Sequence, residues 1–187
     1  MAKLRIGVLS SDRLTPFSFV VLALVGRGGA GPHDLTRMMR RQGGLYWTSA
    51  ESQWYAEPKR LERLGFLRSY KEPGKTRERT HYVLTEAGRS ALCDWIAEPS
   101  TLPRIQHEAI VRVLAGDLSD DETLLASLET LRGGITTVRA QIDHAEQVAA
   151  TLPHRERYLR LVHRLGHALL DAHEQWLDEA ERELAPR

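Results

Sequence analysis

Only one of the 187 residues is a cysteine, Cys93. That excludes an internal disulfide framework and fits a reducing compartment. Long apolar runs are missing too. The longest spans 19–25, far short of the about 20 residues a bilayer requires, so no membrane partner is expected. The opening MAKLRIGVLSSDRL has no apolar core of signal-peptide kind, since Asp12 and Arg13 follow at once. These absences predict a cytoplasmic protein. Catalytic signatures are lacking as well: there is no HExxH, no nucleophile elbow and no glycine-rich phosphate loop. GRGGAG at 26–31 follows a helical pattern, whereas a dinucleotide fingerprint must follow a strand. The chain reads as a non-enzyme without a cofactor.

Net charge is almost absent, at +1, yet it is unevenly divided. Residues 1–98 hold 16 lysines and arginines against 10 carboxylates, a balance of +6, and residues 99–187 hold 10 against 15, a balance of −5. A basic part joined to an acidic part points to one region that meets a polyanion and another that does not.

LTPFSFVVLALVGRGG reads as a first helix capped by Thr15, with Pro16 in the turn where a missing amide costs nothing and Gly28-Gly29 ending it. A second covers 32–41, with Leu35, Met38 and Met39 on one face. SAESQWYAEPKRLERLGF (49–66) is the third, capped by Thr48 or Ser49 and closed by Gly65. Prolines are few, yet Pro58 sits inside it. We expect the helix to continue through Pro58 with a bend. Two short strands follow, around a Pro-Gly turn carrying Lys75, Arg77 and Arg79 beside Lys71. Thr85 then caps a fourth helix, TEAGRSALCDWIAE, and Pro99 and Pro103 mark a boundary. Three helices, a hairpin and a helix make a winged helix-turn-helix.

After a short helix at 104–115, Ser119 and Glu122 have the spacing of a capping box. A heptad seam follows: Leu124, Leu128, Leu131, Ile135, Val138, Ile142, Ala145, Ala149 and Leu152. Pro153 breaks it, and Tyr158, Val162, Leu165, Leu169, Ala172 and Trp176 repeat the spacing on a last helix from 154 to 184. Two such helices joined by a tight turn fold back as an antiparallel pair. Gly133-Gly134 within the first suggests a kink or a close crossing. The fold class is therefore mainly α (α+β): a winged helix-turn-helix domain at 1–98 and a coiled-coil-like helical dimerisation domain at 99–187. Leu124, Leu128, Leu131, Ile135, Val138, Ile142, Leu165 and Leu169 are the expected dimerisation residues.

The segments LTPFSFVVLALV, SAESQWYAEPKRLERLGFL, YVLTEAGRSAL and YLRLVHRLG…WLDEAERELA together resemble the PadR-type transcriptional regulators, with the closest likeness to the subgroup bearing a long C-terminal helical arm. The resemblance covers 14–184 and implies a homodimer that binds operator DNA and is released by a small molecule. Helix-turn-helix docking lays the third helix in the major groove, which gives base-facing roles to Ser49, Ser52, Gln53 and Tyr55 and phosphate roles to Lys59 and Arg60. The plainer alternative is that the serines only cap and Tyr55 fills core. Trp54, Leu61, Leu64 and Phe66 are expected to pack inward. Relatives often place the proline directly after the tyrosine, where this chain has Ala56, which leaves open which of Gln53, Tyr55 and Lys59 share a face. Lys75, Arg77 and Arg79 suit phosphates or the minor groove; a solvated loop is the alternative. A dimer would then read an inverted repeat with half-sites about 34 Å apart.

The implied function is a sequence-specific regulator, a repressor relieved by a small hydrophobic or aromatic effector. The alternative is a winged-helix protein-interaction or scaffold module that does not bind DNA. Trp95 and Trp176 could line an effector pocket between subunits, or simply fill the dimer core. His163 and His167 stand four residues apart on the last helix, with His173 further along. Such a pair can hold zinc, but no third ligand is visible in the sequence, so no metal site is expected. Cys93, between Leu92 and Trp95, is expected to be buried apolar filler.

Overall fold

Thr15 and Ser18 open the first helix with reciprocal bonds. The Thr15 amide donates to Ser18 Oγ at 2.9 Å and the Ser18 amide to Thr15 Oγ1 at 3.3 Å, a capping box. The structure, a computed structural model, describes residues 14–42, 45–73 and 78–185. They form two compact units divided between Thr101 and Leu102.

In the first unit α1 (Pro16–Val25) is central, and Ser18, Val21 and Leu22 are wholly buried. The helix stops at Gly26 (φ 50°), two residues before the expected Gly28-Gly29. The first glycine able to take a positive φ ends it. Onto α1 pack α2 (Pro32–Gln42) and α3 (Glu51–Arg63). Leu35 is buried, with Met38 and Met39 half-buried beside the core as the periodicity requires. The core stripe of α3 is Trp54, Pro58 and Leu61, at helical spacing. The helix does run through Pro58. The ring is wholly buried, so this proline occupies a core position where its missing amide is shielded by packing. Neither Thr48 nor Ser49 caps α3: the cap position falls on Ala50, which has no side-chain bond to give, and the Ser49 hydroxyl donates instead to Gln53 Oε1 at 3.4 Å.

Gly65 (φ 82°) turns the chain into β1 (Leu67–Glu72), which pairs antiparallel with β2 (Arg79–Leu84) from Leu67↔Leu84 to Glu72↔Arg79. A bridge between Ala30 and Tyr82 ties the α1–α2 connection to β2. Thr85 caps α4 (Glu86–Ile96) and donates to the Gly65 carbonyl at 2.6 Å. A Cβ on Gly88 would lie 2.0 Å from the Phe66 carbonyl oxygen, so only glycine admits this crossing. Leu22, Leu35, Leu61, Phe66, Leu67 and Tyr82 close the core, and Phe17 meets Trp54 edge-on at 4.7 Å.

The second unit holds α5 (Glu108–Leu114), shorter than the 104–115 expected, a single 3₁₀ turn, α6 (Asp121–Ala149) and α7 (Glu156–Leu184). Asp120, not Ser119, caps α6. Its carboxylate accepts from the Thr123 amide at 2.7 Å and the Thr123 hydroxyl at 2.9 Å, bonds that hold its pKa below the usual carboxylate value. A charged acceptor next to the first turn outcompetes a serine one residue earlier. Gly133 and Gly134 lie in unbroken helix, and among the described residues of one chain a Cβ on either would meet nothing within 4 Å, so the pairing of α6 with α7 makes no close crossing at these glycines.

Helices α6 and α7 pack together along most of their length. Leu124, Leu128, Ile135, Ile142, Ala145 and Ala149 are buried, with Leu131, Val138 and Leu152 half-buried, so the expected seam exists within one chain. On α7 the register differs from expectation by one residue. The inward positions are Leu159, His163, Gly166, Leu170, His173 and Leu177, while Tyr158, Val162 and Leu165 are exposed. Both stripes keep the same 4–3 spacing, so periodicity alone could not choose between them. Arginines bind the pair from outside: Arg132 reaches Asp178 at 2.8 Å and Glu181 at 2.6 Å, and Arg139 reaches Asp171 at 2.9 Å and Glu174 at 2.7 Å.

Candidate nucleic-acid interface

With Trp54, Pro58 and Leu61 turned inward, the opposite face of α3 is open. Ser52, Gln53, Tyr55, Ala56, Lys59 and Arg63 are exposed. Four of them, Ser52, Tyr55, Lys59 and Arg63, recur every three or four residues and share one face. Across from that face stands the hairpin. Between them lies a groove of about 710 Å³ that Ser69, Lys71, Thr80 and Tyr82 complete. The hairpin is fastened at its base: Glu62 accepts from the Ser69 amide at 3.0 Å and its hydroxyl at 2.6 Å. Lys71 Nζ donates to Thr80 Oγ1 at 2.8 Å.

The sequence-predicted residues divide between this groove and elsewhere. Ser52, Tyr55 and Lys59 line it, and Ser49 and Gln53 stand together at the start of α3. Arg60 does not reach the groove. Its guanidinium lies 2.7 Å from Glu57 Oε1 and 3.4 Å from Ser18 Oγ, and Ser18 donates to Glu57 at 2.6 Å. One residue beyond Lys59 is about 100° further round the helix, which turns Arg60 toward α1, where its charge neutralises a half-buried carboxylate. Arg63 is the cation that sequence reading missed. Its spacing of four from Lys59 was the available clue.

Of the hairpin cations, Arg79 is exposed and pairs with Glu72 at 2.7 Å, while Lys75 and Arg77 lie outside the described residues. Trp95, in the first unit, stacks on Phe19 with centroids 4.7 Å apart, and Trp176, in the second, meets His107 edge-on at 6.0 Å. Cys93 is exposed, contrary to expectation: α4 turns Gly88, Ala91 and Leu92 inward and leaves Cys93 on its outer side.

No protein-family model matches the chain. It is 26% identical over 157 residues, 76% of this chain and 84% of the relative, to the negative transcriptional regulator PadR of Bacillus subtilis (strain 168). In fold it is similar to Bacillus subtilis PadR solved with operator DNA, at a TM-score of 0.74 and 18% identity over 91% of this chain and 98% of that one. The same regulator solved with p-coumaric acid aligns at 0.61 and 18%, covering 88% and 98%. The Vibrio cholerae virulence activator AphA aligns at 0.67 and 26% identity, covering 89% and 96%. The fold class expected from sequence is the fold observed. This chain resembles the PadR-type transcriptional regulators in sequence over 76% of its length and in fold over 91%, which bears out the likeness read from its motifs.

Proposed function

We propose that this chain is a sequence-specific DNA-binding transcriptional regulator that works as a homodimer on an inverted-repeat operator. The observation that carries the reading is the groove between α3 and the hairpin, which presents Ser52, Tyr55, Lys59, Arg63 and Lys71 together. Hydroxyls with cations on one convex helix face suit base edges flanked by phosphates. Gln53 and Ser49 at the start of α3 reach bases in this reading, and Lys75, Arg77 and Arg79 lie along the neighbouring backbone.

For the dimer, the support is an apolar stripe that one chain does not cover: Tyr158, Leu161, Val162 and Leu165 on α7 are 59%, 62%, 44% and 54% exposed. In this reading a second copy buries it, and the residues first expected at that interface, Leu124, Leu128, Ile135 and Ile142, stabilise each protomer from within. A helix apolar on two faces marks an interaction surface. A repressor released by a flat aromatic molecule is the finer form of the proposal. It is supported by the relative solved with p-coumaric acid and by the aromatic contact of His107, His173 and Trp176 in the second unit.

The test is an electrophoretic shift with the chain's own promoter at rising salt. Affinity is expected to fall steeply with salt, and Lys59→Ala to lower it about tenfold while reducing the salt slope by about 1. A promoter that never shifts at low salt, or a shift indifferent to salt, overturns the reading.

A further inference from the structure

The glycine-rich stretch at 26–31, no phosphate loop, leads from α1 into α2. It meets the edge of β2 that β1 leaves open, where Ala30 and Tyr82 exchange main-chain hydrogen bonds at 2.9 and 3.0 Å. Gly29 has φ 73°, and the room left by its missing side chain is filled by another residue. A Cβ there would run into His81 Nε2 and lie 2.7 Å from the Tyr82 carbonyl oxygen. Glycine alone suits both the positive φ and the close contact, so this position is shaped around the His81 ring.

Side chains alternate along a strand, and Thr80 and Tyr82 line the DNA-facing groove, so His81 stands on the other face of the hairpin. The register puts Tyr70, Glu72 and Arg79 on that face with it, and the Tyr70 ring lies 5.1 Å from the imidazole. His81 Nε2 is 3.3 Å from the Gly28 carbonyl oxygen. Its Nδ1 is 3.3 Å from Glu72 Oε1, which Arg79 Nε meets at 2.7 Å. Both ring neighbours are acceptors, and in any protonation state the ring has an N–H for at least one of them. His81 Nδ1 and Glu72 Oε1 are shut off from water and make no hydrogen bond among the described residues. Leaving a dry contact of this kind without its partner is costly, unlike an exposed ion pair.

The contact also sits where the hairpin needs support. Glu62 fastens Ser69 near the base, and Glu72 lies three residues nearer the tip. We propose that His81 is a positioning residue: seated against Gly28 and Gly29 and held by Glu72, it clamps the hairpin to the α1–α2 connection and sets where Lys75 and Arg77 meet the DNA backbone. This rests on the DNA-binding reading above. A hairpin fixed before binding loses less freedom when its cations reach phosphate, so more of their attraction appears as affinity.

Hydrogen exchange on the free full-length protein tests the clamp without DNA. In His81→Leu, the amides of Ala30 and Tyr82 are expected to exchange at least about fivefold faster, the scale of one lost hydrogen bond, with α6 unchanged. His81→Gln keeps a donor for the Gly28 carbonyl and should recover most of the protection. A double-mutant cycle in electrophoretic shifts with the promoter duplex then tests positioning. Lys75→Ala/Arg77→Ala is expected to lower affinity at least about tenfold in the native chain, and the salt slope by about 2. In His81→Leu the same pair should cost under about threefold, a departure larger than independent sites show. Lys59→Ala, on α3, should cost the same in both backgrounds. Should His81→Leu fail to fold, Glu72→Gln alters a more exposed side chain and carries the same two readouts. Unchanged exchange in the folded variant overturns the clamp, whether or not DNA is bound. Faster exchange with the Lys75 and Arg77 effect undiminished overturns the positioning role. A native chain that shifts no promoter at low salt overturns the DNA-binding reading and the positioning role with it, while the exchange rates still decide the clamp.

Discussion

The two units bury apolar surface in different ways. Of the largest fully buried side chains, the second unit supplies Leu128 and the first supplies all the others, Leu22, Leu35, Leu61 and Leu67 among them. Three helices and a hairpin enclose a three-dimensional core. A helical pair encloses only a seam, and its outer faces stay in solvent. The difference teaches where each unit gets its stability. The first is self-sufficient and can spend its exposed face on cations and hydroxyls. The second leaves Tyr158, Leu161, Val162 and Leu165 uncovered, the stripe on which the proposed dimer rests.

That contrast can be broken at several points. The largest effect is expected from Leu22→Ala, which removes a wholly buried side chain from the first core. It should cost about 3 kcal/mol in urea denaturation and leave the oligomeric state of the folded protein unchanged. A cost under about 1 kcal/mol would show that this core is looser than its burial implies.

Next in size is Leu165→Glu, a charge placed on the uncovered stripe. Sedimentation velocity at about 10 μM should show dimer before the change and monomer after it, because an unpaired carboxylate buried at an interface costs several kcal/mol. A dimer that survives would move the interface elsewhere. Ile142→Ala, by contrast, should destabilise each protomer by about 2 kcal/mol, since Ile142 is already buried within one chain.

The smallest effect is on pH dependence. His107 and His163, both in the second unit, have pKa values lowered chiefly by burial. Repulsion from His173 adds to the shift at His107. A base whose folded pKa lies below its unfolded value of 6.5 binds more protons when unfolded, so stability is fully present above that value and declines as pH falls below it. The thermal midpoint should therefore drop between about pH 7.5 and about pH 5.5, and His107→Gln should flatten the decline. A midpoint that rises on acidification would reverse the sign argued here.

Much of the fold was legible because its causes are local. Thr15 as a cap, Pro16 at the first turn, Thr85 as a cap and the turn at Gly65 each act within a few residues, and each was found. Local rules also placed Trp54 and Leu61 inward and Ser52, Tyr55 and Lys59 outward. What escaped depended on distant neighbours. Arg60 was expected at phosphate, and the structure sets it against Glu57 on its own helix and Ser18, 42 positions away. Cys93 looked like core until α4 showed which side it presents. Arg63 gains its meaning from the hairpin across the groove. Pro58 shows both halves of the lesson. Its position inside a helix was readable, but its role as buried filler on the core stripe was not.

By itself, then, the sequence determined the order of elements, the caps of α1 and α4, the heptad spacing and the separation of a basic part from an acidic one. These follow from backbone sterics, short-range hydrogen bonds and side-chain periodicity, all of which act between near neighbours. Only the tertiary structure decided which of two equally spaced stripes on α7 faces α6, which cations are consumed by carboxylates, and that His167 meets Asp143 and Glu146. Periodicity fixes the faces of a helix relative to one another. The choice of face is made by the element it packs against, and that element is distant in the chain.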